Sequence, residues 1–497
     1  MRGDAAGIEA YIARNWIDDE EQLRNLRTAG RTYNYYTYEN ETDNYQQDHY
    51  QLLFARDLSP SLQLNLAGHY TRGQGYYEQF RPNDRLSNYG LPAVEAGETP
   101  ISRTDLIRRR WLDNHFGGLT YSLAWETSSP LKLVWGGGWN RYDGDHFGEV
   151  IWARYASTSN LGDRYYDNNA VKTDFNSFLK GYYALSPRLD LYGDVQYRRI
   201  DYRFGGLNND RSLIAGDYEY HFWNPKGGLS YRLTPDFRLY TSYAIAHREP
   251  VRRDFTDAPL HAEGQGRNIP RPEVLRNLEM GWEGRLSPQL QLSANYYLMD
   301  YKDQLVLTGE INDVGSDIRI NVPESYRMGM ELQGVYTPIP ELKLEANATF
   351  SRNRIGRFED VLMNYDTGQQ LRTEITNAPI AFSPNVVANG IVSVYPQRQL
   401  ELSLLSKWVS RQYLDNTGAD SRSLDPYWVN DLRVNYSIRP RFVEEIRLNL
   451  LVNNLFNTLY SSNGYTFGYI ADGETIREVF LYPQAGTNFL IGATLRF

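Results

Sequence analysis

Eight proline-marked turns constrain this 497-residue chain more than any other feature. They lie at Ser59-Pro-Ser61, Ser129-Pro-Leu131, Ser186-Pro-Arg188, Thr234-Pro-Asp236, Ser287-Pro-Gln289, Thr337-Pro-Ile-Pro-Glu341, Tyr395-Pro-Gln397 and Ile438-Arg-Pro440, 44 to 70 residues apart. Proline suits a tight turn because its φ is pre-set and it donates no ladder hydrogen bond. Period-two alternation adjoins these turns. Leu290, Leu292, Ala294, Tyr296 and Leu298 oppose Gln291, Ser293, Asn295 and Tyr297; Leu400, Leu402, Leu404 and Trp408 oppose Glu401, Ser403 and Lys407. The last ten residues do the same, with Phe489, Ile491, Ala493, Leu495 and Phe497 on one face. About ten residues in a tilted strand cross the hydrocarbon core of a bilayer. Each interval between turns holds one strand out, a long polar loop and one strand back. The loops fall near 82–107, 154–170, 207–217, 256–270, 309–317, 361–371, 415–424 and 463–476. Short turns on one side and long loops on the other is the asymmetry of an all-β transmembrane antiparallel barrel.

Composition permits this. A mean hydropathy of -0.59 is polar, but a barrel shows lipid only alternate residues. No run of eighteen apolar residues exists to make a helical span. Zero cysteines exclude a disulfide framework or a thiolate site, and a net charge of -9 opposes nucleic-acid binding. A buried C-terminal strand of a soluble sandwich would alternate similarly, and a period near 50 residues also suits a β-propeller. The alternation outlasts a propeller strand, however, and charged residues on its inner face suit a wet lumen. Tyr and Trp near strand ends fit interfacial girdles.

Eight turns join sixteen strands, and the C-terminal strand makes seventeen, where antiparallel closure needs an even number. No signal-peptide core opens the chain. The expectation is a fragment: residues 1–47 an extracellular loop, with a short amphipathic helix within Ile8 to Leu26, and residues 48–497 the C-terminal portion of a barrel. Its first strand, near Asp48 to Leu58, would remain an unpaired edge.

Several segments, in order, resemble one family. These are Trp223-Asn-Pro-Lys-Gly-Gly-Leu-Ser-Tyr231 with Leu239 to Pro250, Arg271-Pro-Glu-Val-Leu-Arg-Asn-Leu-Glu-Met-Gly281, Tyr326-Arg-Met-Gly-Met-Glu331, Val452-Asn-Asn-Leu-Phe-Asn-Thr-Leu-Tyr460 and Tyr482-Pro-Gln-Ala-Gly-Thr-Asn-Phe489. Together they resemble the TonB-dependent outer-membrane receptors, most closely the ferric-siderophore branch; Thr487 stands where that family usually has Arg. The resemblance implies a 22-stranded barrel around an N-terminal plug that contacts the TonB complex. On that basis about five strands and the plug are absent here. It further implies a bacterial outer-membrane location, a ferric siderophore as cargo, and lipid and lipopolysaccharide as surroundings. No resident cofactor or metal is expected. Cobalamin, an oligosaccharide or passive diffusion as in a porin are the alternatives.

An anionic ferric chelate calls for Arg forks and aromatic surfaces at the mouth. Arg103, Arg108, Arg109 and Arg110 sit at one predicted loop–strand junction and His247, Arg248, Arg252 and Arg253 at another, with Tyr76 and Tyr77 as vestibule residues. Tyr33, Tyr35, Tyr36 and Tyr38 are further vestibule candidates. Asp143, Asp145, His146 and Glu149 can be read as a cation cluster or, more simply, as a solvated strand end. No G-x-S-x-G, H-E-x-x-H or P-loop is present, so an enzyme is not expected.

Overall fold

The computed structural model describes the chain apart from residues 1–4, 15–19, 35, 37, 96, 98, 128–129, 258–268 and 313–314. Two short helices come first, α1 (Ala5–Arg14) and α2 (Glu20–Ala29). Strands follow: β1 (Asp43–Ser59), β2 (Leu62–Arg85), β3 (Arg103–Glu126), β4 (Leu131–Ala153), β5 (Arg164–Ser186), β6 (Leu189–Leu207), β7 (Leu213–Thr234) and β8 (Phe237–Arg248). After the one-turn helix α3 (Arg252–Thr256) come β9 (Glu273–Ser287), β10 (Leu290–Ile311), β11 (Asp317–Ile339), β12 (Leu342–Asn364), β13 (Gln369–Pro379), β14 (Val386–Gln397) and β15 (Leu400–Val409). The last are β16 (Gln412–Tyr413), β17 (Ser423–Leu424), β18 (Tyr427–Ile438), β19 (Glu445–Asn453), β20 (Ser461–Ala471), β21 (Glu474–Pro483) and β22 (Asn488–Arg496).

All eight proline turns join consecutive strands: β1–β2, β3–β4, β5–β6, β7–β8, β9–β10, β11–β12, β14–β15 and β18–β19. With β22 these are the seventeen expected strands. The sheet also takes in β13, β20 and β21, because two segments read as loops, 361–371 and 463–476, fold as hairpins. Polar β-branched and aromatic residues in those segments pair as readily as the lipid-crossing strands do. The N-terminal segment also differs from expectation. It holds two helices rather than one, and β1 starts at Asp43. Tyr35 and residues 258–268 of the 256–270 loop lie outside the described residues.

The chain forms two compact units. In the unit of residues 34–185 and 191–227, β1 to β5 form an antiparallel meander. Register sorts its side chains. Leu66 faces Tyr121, Leu123 faces Trp135, Leu119 faces Trp139, and Trp139 faces Phe175, all on one exposed apolar face. The opposite face pairs Asn65 with Ser122 and Asn140 with Asp174. Apolar outside and polar inside is what lipid on one side and water on the other demand. Both β2 and β3 are 24 residues long, roughly 80 Å at about 3.3 Å per residue. Their turn-distal halves therefore project beyond a bilayer, and there the unit's buried cluster lies: Tyr89, Leu106, Val150, Tyr165 and Tyr166. Among the described residues of this unit, β1 pairs with β2 alone, and all seventeen of its residues are exposed, as an edge strand's would be.

In the unit of residues 1–33, 186–190 and 228–497, β8, β9, β10, β11, β12, β14, β15, β18, β19 and β22 pair in that order, all antiparallel. Leu298 faces Met328, Met330 faces Phe350, Val392 faces Leu404, and Leu450 faces Ile491 on the apolar side. Its buried cluster, Val306, Val322, Ile355, Phe358, Ala378 and Ile380, again lies toward the turn-distal ends. The β20–β21 hairpin docks there against β12. Asp366 accepts from the backbone N–H of Asp472 and Gly473, and Arg477 pairs with Asp360.

Candidate functional site

Alternation splits the first arginine run between two faces. Arg109 and Trp111 share a face with Leu119, Tyr121 and Leu123, so they point outward. Tyr76 and Glu78, opposite Trp111 and Arg109, point outward too. Arg109 lies 4.2 Å over the Tyr76 ring and donates to Glu78 at 2.8 Å. Glu78, 3% exposed, also accepts from Tyr38 and Asn40. Burial raises the Glu78 carboxyl, but those hydrogen bonds outweigh it and hold the group below its ordinary value. The Tyr38 hydroxyl, hydrogen-bonded to that carboxylate, is pushed up to about 12. This set is a clasp on the outer face, fastening the segment before β1 to β2 and β3.

Arg108, Arg110 and Tyr77 occupy the inner face. Arg108, 6% exposed, donates through Nε and one terminal nitrogen to the side-chain oxygen of Gln79. Arg110 sits between the rings of Tyr77 and Tyr166, 5.5 and 5.6 Å away. Arg103 begins β3 and donates to the Asn83 carbonyl. Of the acidic group, Asp143 and Asp145 share one Asn169 amide on the outer face, whereas His146 points inward. No metal-holding group occurs among the described residues.

The second arginine run also divides. His247 shares the face of Leu239 and Tyr243, outward, while Arg248 points inward and pairs with Glu273 at 2.7 Å. Arg252 and Arg253 lie on α3, whose Asp254 is 3.9 Å from Arg319. Arg248 lines a cavity of about 360 Å³ with Glu273, Tyr301, Arg319, Arg327 and Ser383. An adjoining cavity of about 360 Å³ shares Arg327, Phe382 and Ser383 and adds Tyr297, Ser351 and Asn353. Three guanidinium groups line the first cavity with one carboxylate, Glu273, and Asp254 lies beside Arg319; guanidinium forks of this kind match the geometry of anionic oxygens. Burial is the largest influence on Glu273 and leaves its carboxyl raised, despite hydrogen bonds from Leu305 N–H and Arg248.

Arg319, Arg327, Tyr301 and Ser383 were not candidates from sequence. Arg327 lies within the Tyr326–Glu331 segment quoted above, and the paired prolines Pro379 and Pro384 flag the excursion that carries Ser383. Nothing in the sequence places Arg319 beside them.

Residues 5–455 match the family described as TonB dependent receptor-like, β-barrel. The chain belongs to that family. It is an all-β barrel protein of the bacterial outer membrane, in a family of receptors rather than enzymes. Similar solved structures include the ferric-catecholate import receptor Fiu from E. coli K12 in its closed form, 15% identical with a TM-score of 0.65, covering 96% of this chain and 68% of that one. The siderophore receptor PiuA from Acinetobacter baumannii is 14% identical with a TM-score of 0.63, covering 91% and 65%. The ferric citrate transporter FecA in unliganded form is 15% identical with a TM-score of 0.63, covering 91% and 62%. At these identities the likeness is one of fold, and this TonB-dependent receptor chain spans about two thirds of the length of those structures.

Proposed function

We propose that this TonB-dependent receptor takes up a ferric chelate of the siderophore class across the outer membrane, energised through TonB. The observation that supports it best is the inner-face cavity where Arg248, Arg319 and Arg327 converge, with Tyr301 and Ser383 as further donors. Ferric siderophores are commonly anionic, and a guanidinium fork matches carboxylate or catecholate oxygens in two hydrogen bonds at once. Arg108 and Arg110, on the inner face of β3, are further basic groups of the other unit. Residues 48–497 supply the barrel portion, residues 1–47 an extracellular segment, and lipid and lipopolysaccharide surround the apolar belt.

The test is iron uptake by bacteria carrying or lacking the gene, with labelled iron presented as citrate, tris-hydroxamate and tris-catecholate complexes. Loss of uptake of one chelate on deletion, abolished equally by removing TonB, is the expected result. Uptake of cobalamin or an oligosaccharide, with no chelate affected, would move the protein to another branch of its family. TonB-independent flux would make it a passive pore.

A further inference from the structure

Between β13 and β14 the chain crosses the inner face as a strap, Ile380-Ala-Phe-Ser-Pro384, which forms part of both cavity walls. Phe382 has φ 51°. A bulky residue in the left-handed region is strained, so surrounding contacts must hold it there. Its N–H donates to the Tyr413 carbonyl at 2.9 Å. The neighbouring Ala381 N–H donates to Asn416 Oδ1 at 2.8 Å, and Asn416 Nδ2 donates to the Leu307 carbonyl on β10 at 2.6 Å. Asn416 is completely buried. At the strap's other end Arg327 donates to Ser383 Oγ at 2.7 Å. The approach of the 414–416 backbone to β10 requires Gly309, whose φ is +96° and whose Cβ, if present, would lie 2.8 Å from the Leu414 carbonyl oxygen.

We infer that Asn416 is the positioning residue of this strap. It fixes Phe382 and Ser383 in the cavity wall and thereby sets how tightly the cavity holds its ligand, without lining the cavity itself. The side chain must accept from the strap and donate to β10 at once, which among small residues an amide does and a hydroxyl-free or ionised one does not. Losing it takes the acceptor from the N–H of the buried Ala381 and a donor from the Leu307 carbonyl, and the cheapest relief is for the strained strap to move off.

The affinity consequence rests on the ferric-chelate reading, whereas the positioning role does not, and the experiment separates them. Asn416→Ala and Asn416→Asp are made in the intact receptor, purified from outer membranes. Backbone amide exchange is followed at Ala381 and Phe382, and binding of ferric citrate, a ferric tris-hydroxamate and a ferric tris-catecholate is followed by intrinsic fluorescence. In Asn416→Ala both amides should lose protection while the ladders of β11 with β10 and β12 keep theirs. Kd for whichever chelate the wild type binds should rise about tenfold. Asn416→Asp keeps the acceptor for Ala381 and loses the donor for Leu307, so its exchange should be intermediate; it decides the matter if the alanine variant does not assemble. Unchanged protection at Ala381 and Phe382 overturns the inference, as does loosened exchange with Kd within about twofold of wild type. Wild-type receptor that binds none of the three chelates sinks the uptake reading, and exchange alone then decides the role of Asn416.

Discussion

Replacing Arg327 and Arg109 separately by Ala tests the assignment of faces, on which the reading of the site depends. Both are arginines, each with a good hydrogen-bond partner: Ser383 at 2.7 Å and Glu78 at 2.8 Å. Sequence gives no reason to treat them differently. Arg327, opposite Met299 and flanked by the outward Met328, points inward and lines both adjoining cavities. A charge-assisted hydrogen bond lost from such a site costs roughly 1.5–3 kcal/mol, so Arg327→Ala should weaken chelate binding by about 10- to 150-fold. Arg109 lies on the outer face of β3, its charge met by Glu78 and screened by solvent over a Debye length of about 8 Å. Arg109→Ala should change Kd by less than about twofold. Titration of purified receptor with the transported chelate, followed by fluorescence quenching, measures both; heat-modifiable mobility confirms that each variant has assembled. Equal losses for the two variants, or no loss for Arg327→Ala, would refute the sorting of side chains by register.

Changing Arg248, Arg252 and Arg253 together to Ala should lower affinity with barrel assembly unchanged, Arg248 being the member that lines the cavity; the individual variants apportion the loss. The Glu78 clasp should be acid-labile: its carboxyl is held below the ordinary 4.5, so its contribution is present above that pH and fades as pH falls through the lower folded value. Limited proteolysis of residues 38–42 across pH 3–6 checks this, and Glu78→Gln should flatten the profile. Leu106→Ala empties a fully buried position among Tyr89, Tyr165 and Tyr166, costing about 2–5 kcal/mol, visible as a lowered apparent Tm. A Gly309→Val change should impair assembly, since a Cβ there meets the Leu414 carbonyl and the backbone is left-handed.

Alternation and turn chemistry are local, and they carried most of the architecture. Proline at each of eight turns and period-two runs beside them determined where the lipid-crossing strands reverse, and β22 shows the apolar face that Phe489, Ile491 and Leu495 announce. Polar extensions beyond the bilayer obey no such rule. Residues 361–371 and 463–476 read as loops because they are rich in Gly, Asn, Asp and Thr; in 463–476 the row that Tyr465, Phe467 and Tyr469 form with Phe480 shows only once β20 and β21 pair. The site followed the same division. The sequence located arginines near strand ends, but one residue of register decides which face each presents, and Arg108 and Arg109 are neighbours on opposite sides. Arg319, Arg327 and Ser383 come from strands and a strap distant in sequence, and Asn416 joins Ala381 to Leu307 across separations of 35 and 109 residues. Only pairing of β10, β11 and β12 in one register brings those groups together, because hydrogen-bonded neighbours, unlike neighbours in sequence, are chosen by the whole sheet.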